Sequence, residues 1–324
     1  KTWTKPRFGG GIIPEYAEIT AYNDPRELTL DELTALNADF RKDYAEYSDA
    51  AIVVVGRPGS EAGNGYYPGK DGLAEGVSTV TGNILSLSDE EMAMINEAKA
   101  NFDKVIVLVN ATNPMEIANL KDDPDIDAIV WIGFPGAYGF YGVADVLNGT
   151  VSPSAHLGDV MAKNSALAPA MANYGNIPWT NAADFAADAN VNSYLIEAEG
   201  IYAGYRYYET AHVPVRYPFG YGLSYTTFAY SDLKADADKV TFTITNTGSR
   251  AGAEIAQLYV AKADAAVFRP EKELKGFAKV FLQAGERKTV TIPLDDKAFR
   301  YWNVKTDRWE TEGGSYQLLV GASV

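Results

Sequence analysis

The residues of this chain whose types and spacing could do chemistry are carboxylates beside glycine-rich turns. Glu61 stands inside Gly59-Ser-Glu-Ala-Gly63, shortly after the apolar run Ala51-Ile-Val-Val-Val-Gly56. Open α/β sheets gather ligand groups on loops that follow the carboxyl ends of strands, and this glutamate is placed that way. A carboxylic acid in such a loop can hold a proton near neutral pH when burial or a neighbouring carboxylate raises its pKa. The plain alternative is a solvated loop glutamate. Three rival carboxylates follow it in sequence. Glu90 and Glu91 suit the positive end of a helix, and Glu75 lies in a loop lengthened by Gly69-Lys-Asp-Gly72.

Other chemistries are narrowed by what the chain lacks or misplaces. It has no cysteine, which excludes disulfides, thiolate metal sites and a cysteine nucleophile. The two histidines, His156 and His212, are far apart. Gly56, Gly59, Gly63 and Gly65 are not spaced as a dinucleotide fingerprint, and no acidic residue ends a following strand as a ribose ligand would. Asp123, Asp125 and Asp127 alternate as calcium ligands do, but the glycine and distal glutamate of a calcium loop are missing. Neither a cofactor nor a metal is expected. A net charge of −15 argues against nucleic acid, whose phosphates need clustered Lys and Arg. No apolar run reaches the roughly 20 residues of a membrane span. A neutral ligand such as a sugar stays open.

The elements that must position Glu61 are legible from periodicity. Thr29-Leu-Asp-Glu32 has the form of a capping box, and Leu33, Leu36, Phe40 and Tyr44 fall on one helical face. Ala50–Gly56 reads as a strand buried on both faces of a parallel sheet. Ser88-Asp-Glu-Glu91 caps a helix bearing Met92, Ile95, Ala98 and Phe102. Lys104–Asn110 is the next strand, 114–120 a short helix, Ala128–Gly133 a third strand and 139–147 another helix. Strands alternating with helices predict right-handed crossovers in a layered α/β domain. From about 152 to 225 the chain is turn-rich and aromatic, a connector packed down by its tyrosines. After Phe228 the period becomes two, and Val240–Asn246, Ile255–Val260, Lys279–Leu282, Thr289–Leu294 and Tyr316–Val320 predict a small antiparallel sandwich. The expected domains are 1–225 and 226–324.

At this point the motifs resemble a known family. Ala51–Asn64 is similar to the acid/base loop of family 3 glycoside hydrolases, and Leu87-Ser-Asp-Glu-Glu91 to the helix start that follows it. Val107–Asn110, Ala128–Trp131, and Val143–Gly149 with Val151–Ser154 match later segments in order. Gly200-Ile-Tyr-Ala-Gly-Tyr-Arg-Tyr-Tyr208 and 217–228 are the most specific matches. Asn246-Thr-Gly248, Gln257–Val260 and Glu273-Leu-Lys-Gly-Phe277 resemble the family's fibronectin-III-like domain, and Gly158–Lys163 its bacterial, clostridial-type branch. The set covers nearly everything after about Ala50. One departure is Pro135-Gly-Ala-Tyr-Gly139, which lacks the polar residue the family carries there.

The resemblance implies a fold class of α/β, a layered sandwich whose first half is missing, followed by an all-β fibronectin-III-like sandwich. It implies a retaining exo-β-glycosidase, a β-glucosidase first, with β-xylosidase or α-L-arabinofuranosidase as the rival within the family. A non-catalytic carbohydrate-binding or scaffolding module is the rival outside it. Glu61 takes the acid/base role. The nucleophile is an aspartate on a (β/α)8 barrel, and no such barrel or its Ser-Asp-Trp-like motif is found here. A complementary chain carrying the barrel is therefore the expected partner, beside the carbohydrate substrate. Lys1 is neither an initiator methionine nor the head of a secretion signal, so further chain is expected before it. Tyr66, Tyr67, Phe134 and Tyr138, with Phe140 and Tyr141, gather near strand ends. Their faces either stack on apolar sugar faces at the leaving-group side or pack against the barrel. Arg206 and Tyr207 in the connector read as a structural clasp.

Overall fold

The computed structural model describes residues 28–56, 85–172, 177–178, 193–194 and 197–324. Packing divides the chain into two units. The first comprises Lys1–Phe140 with Lys163–Ala166, and the second Tyr141–Ala162 with Leu167–Val324.

In the first unit, Leu30–Leu36 (α1) opens on Thr29, whose side chain accepts from Glu32 N while the Glu32 carboxylate accepts from Thr29 N. The helix is shorter than its apolar spacing predicts. Asn37 turns extended, and its Oδ1 accepts from Asp39 N at 3.3 Å, a local bond that competes with helix continuation. Phe40 and Tyr44 therefore lie in turns beyond α1, where Tyr44 tilts against Phe102 at 4.9 Å.

Three strands, Ala51–Gly56 (β1), Val105–Asn110 (β2) and Ala128–Trp131 (β3), form a parallel sheet in that order. Asp89–Asn101 (α2) precedes β2 and buries Ile95 and Ala98. Val105, Val107, Leu108 and Val109 make β2 the most buried strand of the sheet. The expectation that β1 is buried on both faces fails. Val53 and Val55 are buried, but Ile52 and Val54, which alternate with them on the other face, are 52% and 41% exposed.

The predicted cap of α2 is present. Ser88 Oγ accepts from Glu91 N at 3.1 Å and the Glu91 carboxylate accepts from Ser88 N at 2.8 Å, with Glu91 only 1% exposed. Losing the hydroxyl strands part of this buried reciprocal pair. Ser88→Ala is expected to cost about 1–2 kcal/mol, measurable by urea denaturation.

Beyond β2, Ala118–Lys121 (α3) is a single turn, with Met115, Ile117 and Leu120 buried beside it. Gly136–Leu147 (α4) begins earlier than predicted and runs through the boundary between the units.

The second unit holds the connector and the sandwich. Met161–Ala162 (β4) pairs with a strand formed later by Val215–Tyr217, and Ile177–Pro178 (β5) pairs with Ser193–Tyr194 (β6). Tyr205–Thr210 (α5) and Val215–Tyr217 (β7) complete the connector. The strands Phe228–Ala235 (β8), Lys239–Asn246 (β9), Gly252–Ala261 (β10), Glu273–Leu282 (β11), Arg287–Pro293 (β12) and Gln317–Gly321, with the hairpin Arg300–Asn303 (β13) and Arg308–Thr311 (β14) before the last (β15), form the sandwich. Its sheets run β12-β9-β8 and β11-β10-β15. Val240, Phe242 and Ile244 alternate inward from β9 to meet Leu258, Leu282 and Ile292. The fold class is thus α/β followed by an all-β sandwich.

The connector is fastened to the sandwich by α5. Leu274 N donates to Tyr205 Oη at 2.8 Å, Glu271 N donates to Thr210 Oγ1 at 3.0 Å, and Lys272 pairs with Glu209 at 3.0 Å. The clasp uses neighbours of the residues expected for it. Arg206 instead sits over the Tyr205 ring, and Tyr207 meets Tyr208 edge-on. At Gly220, φ is +82° and a side chain would collide with the Gln257 amide, so the turn after Phe219 demands glycine.

Candidate active site

The candidate site is the carboxyl edge of the parallel sheet in the first unit, where open α/β sheets bind ligands. Gly56 and Asn110 end β1 and β2 in register. Just past β3, Ile132 N donates to Val109 O at 2.9 Å, continuing the ladder by one bond. Trp131 Nε1 donates to Ala111 O at 2.6 Å, which ties the segment leaving β2 to the end of β3. The chain then turns through Gly133 and Gly136, both at positive φ (56° and 62°), a backbone that suits glycine.

Two predicted ligand-facing residues lie on this turn. Phe134 is 52% exposed, and Tyr138, in the first turn of α4, is 82% exposed. Both are available to a sugar face or to another protein surface. Glu61, Tyr66, Tyr67 and the rival Glu75 lie outside the described residues. Phe140 and Tyr141 are also exposed.

Glu90 stands in the first turn of α2, and three other carboxylates near the sheet have partners. Glu91 is used in the cap of α2. Asp127 accepts from Val105 N at 2.8 Å and Asp123 pairs with Lys99 at 2.6 Å, on the amino side of β2 and β3, opposite to the candidate edge. The Lys99 hydrogen bond holds the Asp123 carboxyl below the usual carboxylate range. Among the described residues no group of three or more His, Asp or Glu is arranged to hold a metal ion.

Two residues of this region escaped the sequence reading. Glu116, on the connection after β2, accepts from Ser86 Oγ at 3.1 Å and from both Ser165 N and Ser165 Oγ at 2.5 Å. It ties its own segment to two others and leaves little acceptor capacity for a substrate. Asn110 has a buried Oδ1 with no hydrogen-bond donor. Neither carries a local signal, since the partners of one are up to 49 residues away and the other reads as an ordinary strand end.

Comparison with known proteins decides the family. Residues 15–225 match the model of the glycosyl hydrolase family 3 C-terminal domain, and residues 254–324 match a fibronectin type III-like domain. The chain belongs to glycosyl hydrolase family 3. Among its relatives, thermostable beta-glucosidase B of Acetivibrio thermocellus is 36% identical over 293 residues, covering 87% of this chain and 34% of that protein. An exo-alpha-(1->6)-L-arabinopyranosidase of Bifidobacterium longum is 36% identical over 246 residues, covering 74% of this chain and 30% of that protein. The solved structure of beta-glucosidase 3B from Thermotoga neapolitana with alpha-D-glucose matches with a TM-score of 0.73 and 32% identity, covering 95% of this chain and 41% of that one. The chain spans about a third of the length of the curated relatives it matches. The hydrolase resemblance and the fibronectin-III-like domain both stand.

Proposed function

We propose that this chain is the acid/base-bearing part of a retaining exo-β-glycosidase, foremost a β-glucosidase, of the family's clostridial-type branch. The observation that supports the reading most is the family 3 match over 15–225, which contains the Glu61 loop directly after β1. Retaining glycosidases set two carboxyl groups about 5–5.5 Å apart across the scissile bond. In this reading an aspartate on a complementary polypeptide, folded as a (β/α)8 barrel, attacks the anomeric carbon. Glu61 protonates the departing glycosidic oxygen, then takes a proton from the water that releases the sugar. Net configuration is kept after two inversions. Phe134 and Tyr138, with Tyr66 and Tyr67, line the leaving-group side, where aromatic faces cover the apolar faces of sugar rings. The proposed domains remain 1–225 and 226–324. The arabinopyranosidase relative supports a pentoside as the second reading of specificity.

A split site makes a direct prediction. The chain by itself releases no nitrophenol from aryl β-glucosides, and mixing it with the barrel-bearing polypeptide restores hydrolysis with the β-anomer as first product by NMR. Turnover by the chain alone that survives Glu61→Gln would overturn the proposal.

A further inference from the structure

The sandwich carries aromatic rings on its surface that its core does not use. Trp302 and Trp309 stand directly opposite each other on the hairpin β13-β14, with ring centroids 5.8 Å apart and planes at 76°. Successive residues of a strand point to opposite sides. Tyr301 and Glu310 are accordingly half-buried, Tyr301 beneath Arg269, while the two indoles turn outward and are 47% and 42% exposed. The hairpin that carries them is braced. The Glu310 carboxylate accepts from Asn303 Nδ2 at 2.7 Å, Thr306 Oγ1 at 2.6 Å and Arg308 Nε at 2.9 Å.

A run of contacts links this pair to an open hollow of about 360 Å³ between β11 and β12, the edge strands of the two sheets. Phe277 and Asp295 line the hollow. Phe277 is 69% exposed on the outward side of β11, since the next residue, Ala278, packs against the core. Asp295 Oδ1 accepts from Lys297 N at 2.9 Å, and Lys297 Nζ lies over the Trp309 ring, 5.0 Å from its centroid. The order along the strip is aromatic, carboxylate, ammonium, aromatic pair. One negative and one positive group suit a neutral ligand rich in hydroxyls better than an ion. The three aromatic residues expose roughly 300 Å², well short of the about 800 Å² per partner of a standard protein interface.

We infer that this strip binds a β-linked gluco-oligosaccharide, with one sugar ring in the hollow against Phe277 and a later one on the tryptophan pair. A β-linked glucosyl ring holds its hydroxyls equatorially. Both its faces are therefore apolar C–H surfaces for aromatic rings, and its rim is polar for Asp295 and Lys297. The inference does not depend on the acid/base assignment, since every residue in it belongs to the sandwich.

The test is isothermal titration of the full chain, well below its Tm, with a thio-linked cellotetraose that resists hydrolysis. Saturable binding is expected, and Trp302→Ala and Phe277→Ala are each expected to weaken it about tenfold. Trp302→Tyr keeps an aromatic face and should recover most of that loss. Phe277→Ala changes an exposed side chain, so its Tm should stay near that of the unaltered chain. If Trp302→Ala fails to fold, Phe277→Ala decides. Absence of saturable binding by the unaltered chain overturns the inference, and so does undiminished affinity in either folded alanine variant. A dimer that Trp302→Ala dissolves, with no sugar bound, also overturns it and makes a second copy the occupant.

Discussion

Glu61→Gln in the complete assembly is expected to slow hydrolysis of disaccharides and alkyl β-glucosides by about 10²- to 10⁴-fold, the range of general-acid assistance. The same substitution should slow formation of the glycosyl-enzyme far less with activated aryl leaving groups, which depart without protonation. The amide is close to the carboxyl in size, so loss of fold is not the expected cause. The pattern across leaving groups carries the argument. A residue that merely supports the loop would depress all substrates alike, and a solvated glutamate would depress none. Initial rates on a series of leaving groups of graded pKa check this.

The largest stability effect is expected at Asn246 in the sandwich. Its side chain is fully buried. Oδ1 accepts from Thr226 Oγ1 at 2.6 Å and Gly248 N at 3.1 Å, while Nδ2 donates to Arg250 O at 2.7 Å and Leu282 O at 3.2 Å. One amide therefore joins the entry to β8, the turn after β9 and the end of β11. Asn246→Ala leaves several of these groups buried and unpaired, for an expected cost of about 3–5 kcal/mol. The neighbouring Thr247 makes an exposed hydroxyl contact with Thr227 at 2.8 Å. Thr247→Ala should stay within about 0.5 kcal/mol. Denaturant midpoints of the two variants measure the contrast, and a loss below about 1 kcal/mol at Asn246 would contradict it.

The sequence-based reading and the structure agree where local rules decide. Reciprocal caps at Thr29 and Ser88 depend on residues three apart, and the alternation of β9 puts Val240, Phe242 and Ile244 inward as period two requires. They part where distant partners decide. The end of α1 is set by the Asn37 turn, which an apolar face running on to Tyr44 conceals. The hairpin β13-β14, with Trp302 meeting Trp309 at 5.8 Å, was missed because its four-residue strands are too short to show a period. In the candidate site, Phe134 and Tyr138 were legible as aromatics after a strand, but their exposure was not. Asn110 was invisible because an unsatisfied atom is defined by what surrounds it. The bare face of β1 has a similar cause, since Ile52 and Val54 record a demand for burial without saying what meets it.

The proposed mechanism requires one proton-shuttling carboxyl on this polypeptide, and azide is the sharpest probe for it. With Glu61→Gln in the assembly and an activated aryl β-glucoside, added azide needs no proton removed before it attacks the glycosyl-enzyme. The account predicts faster turnover with a β-glycosyl azide as product. Turnover indifferent to azide, with ordinary sugar as the only product, would contradict it.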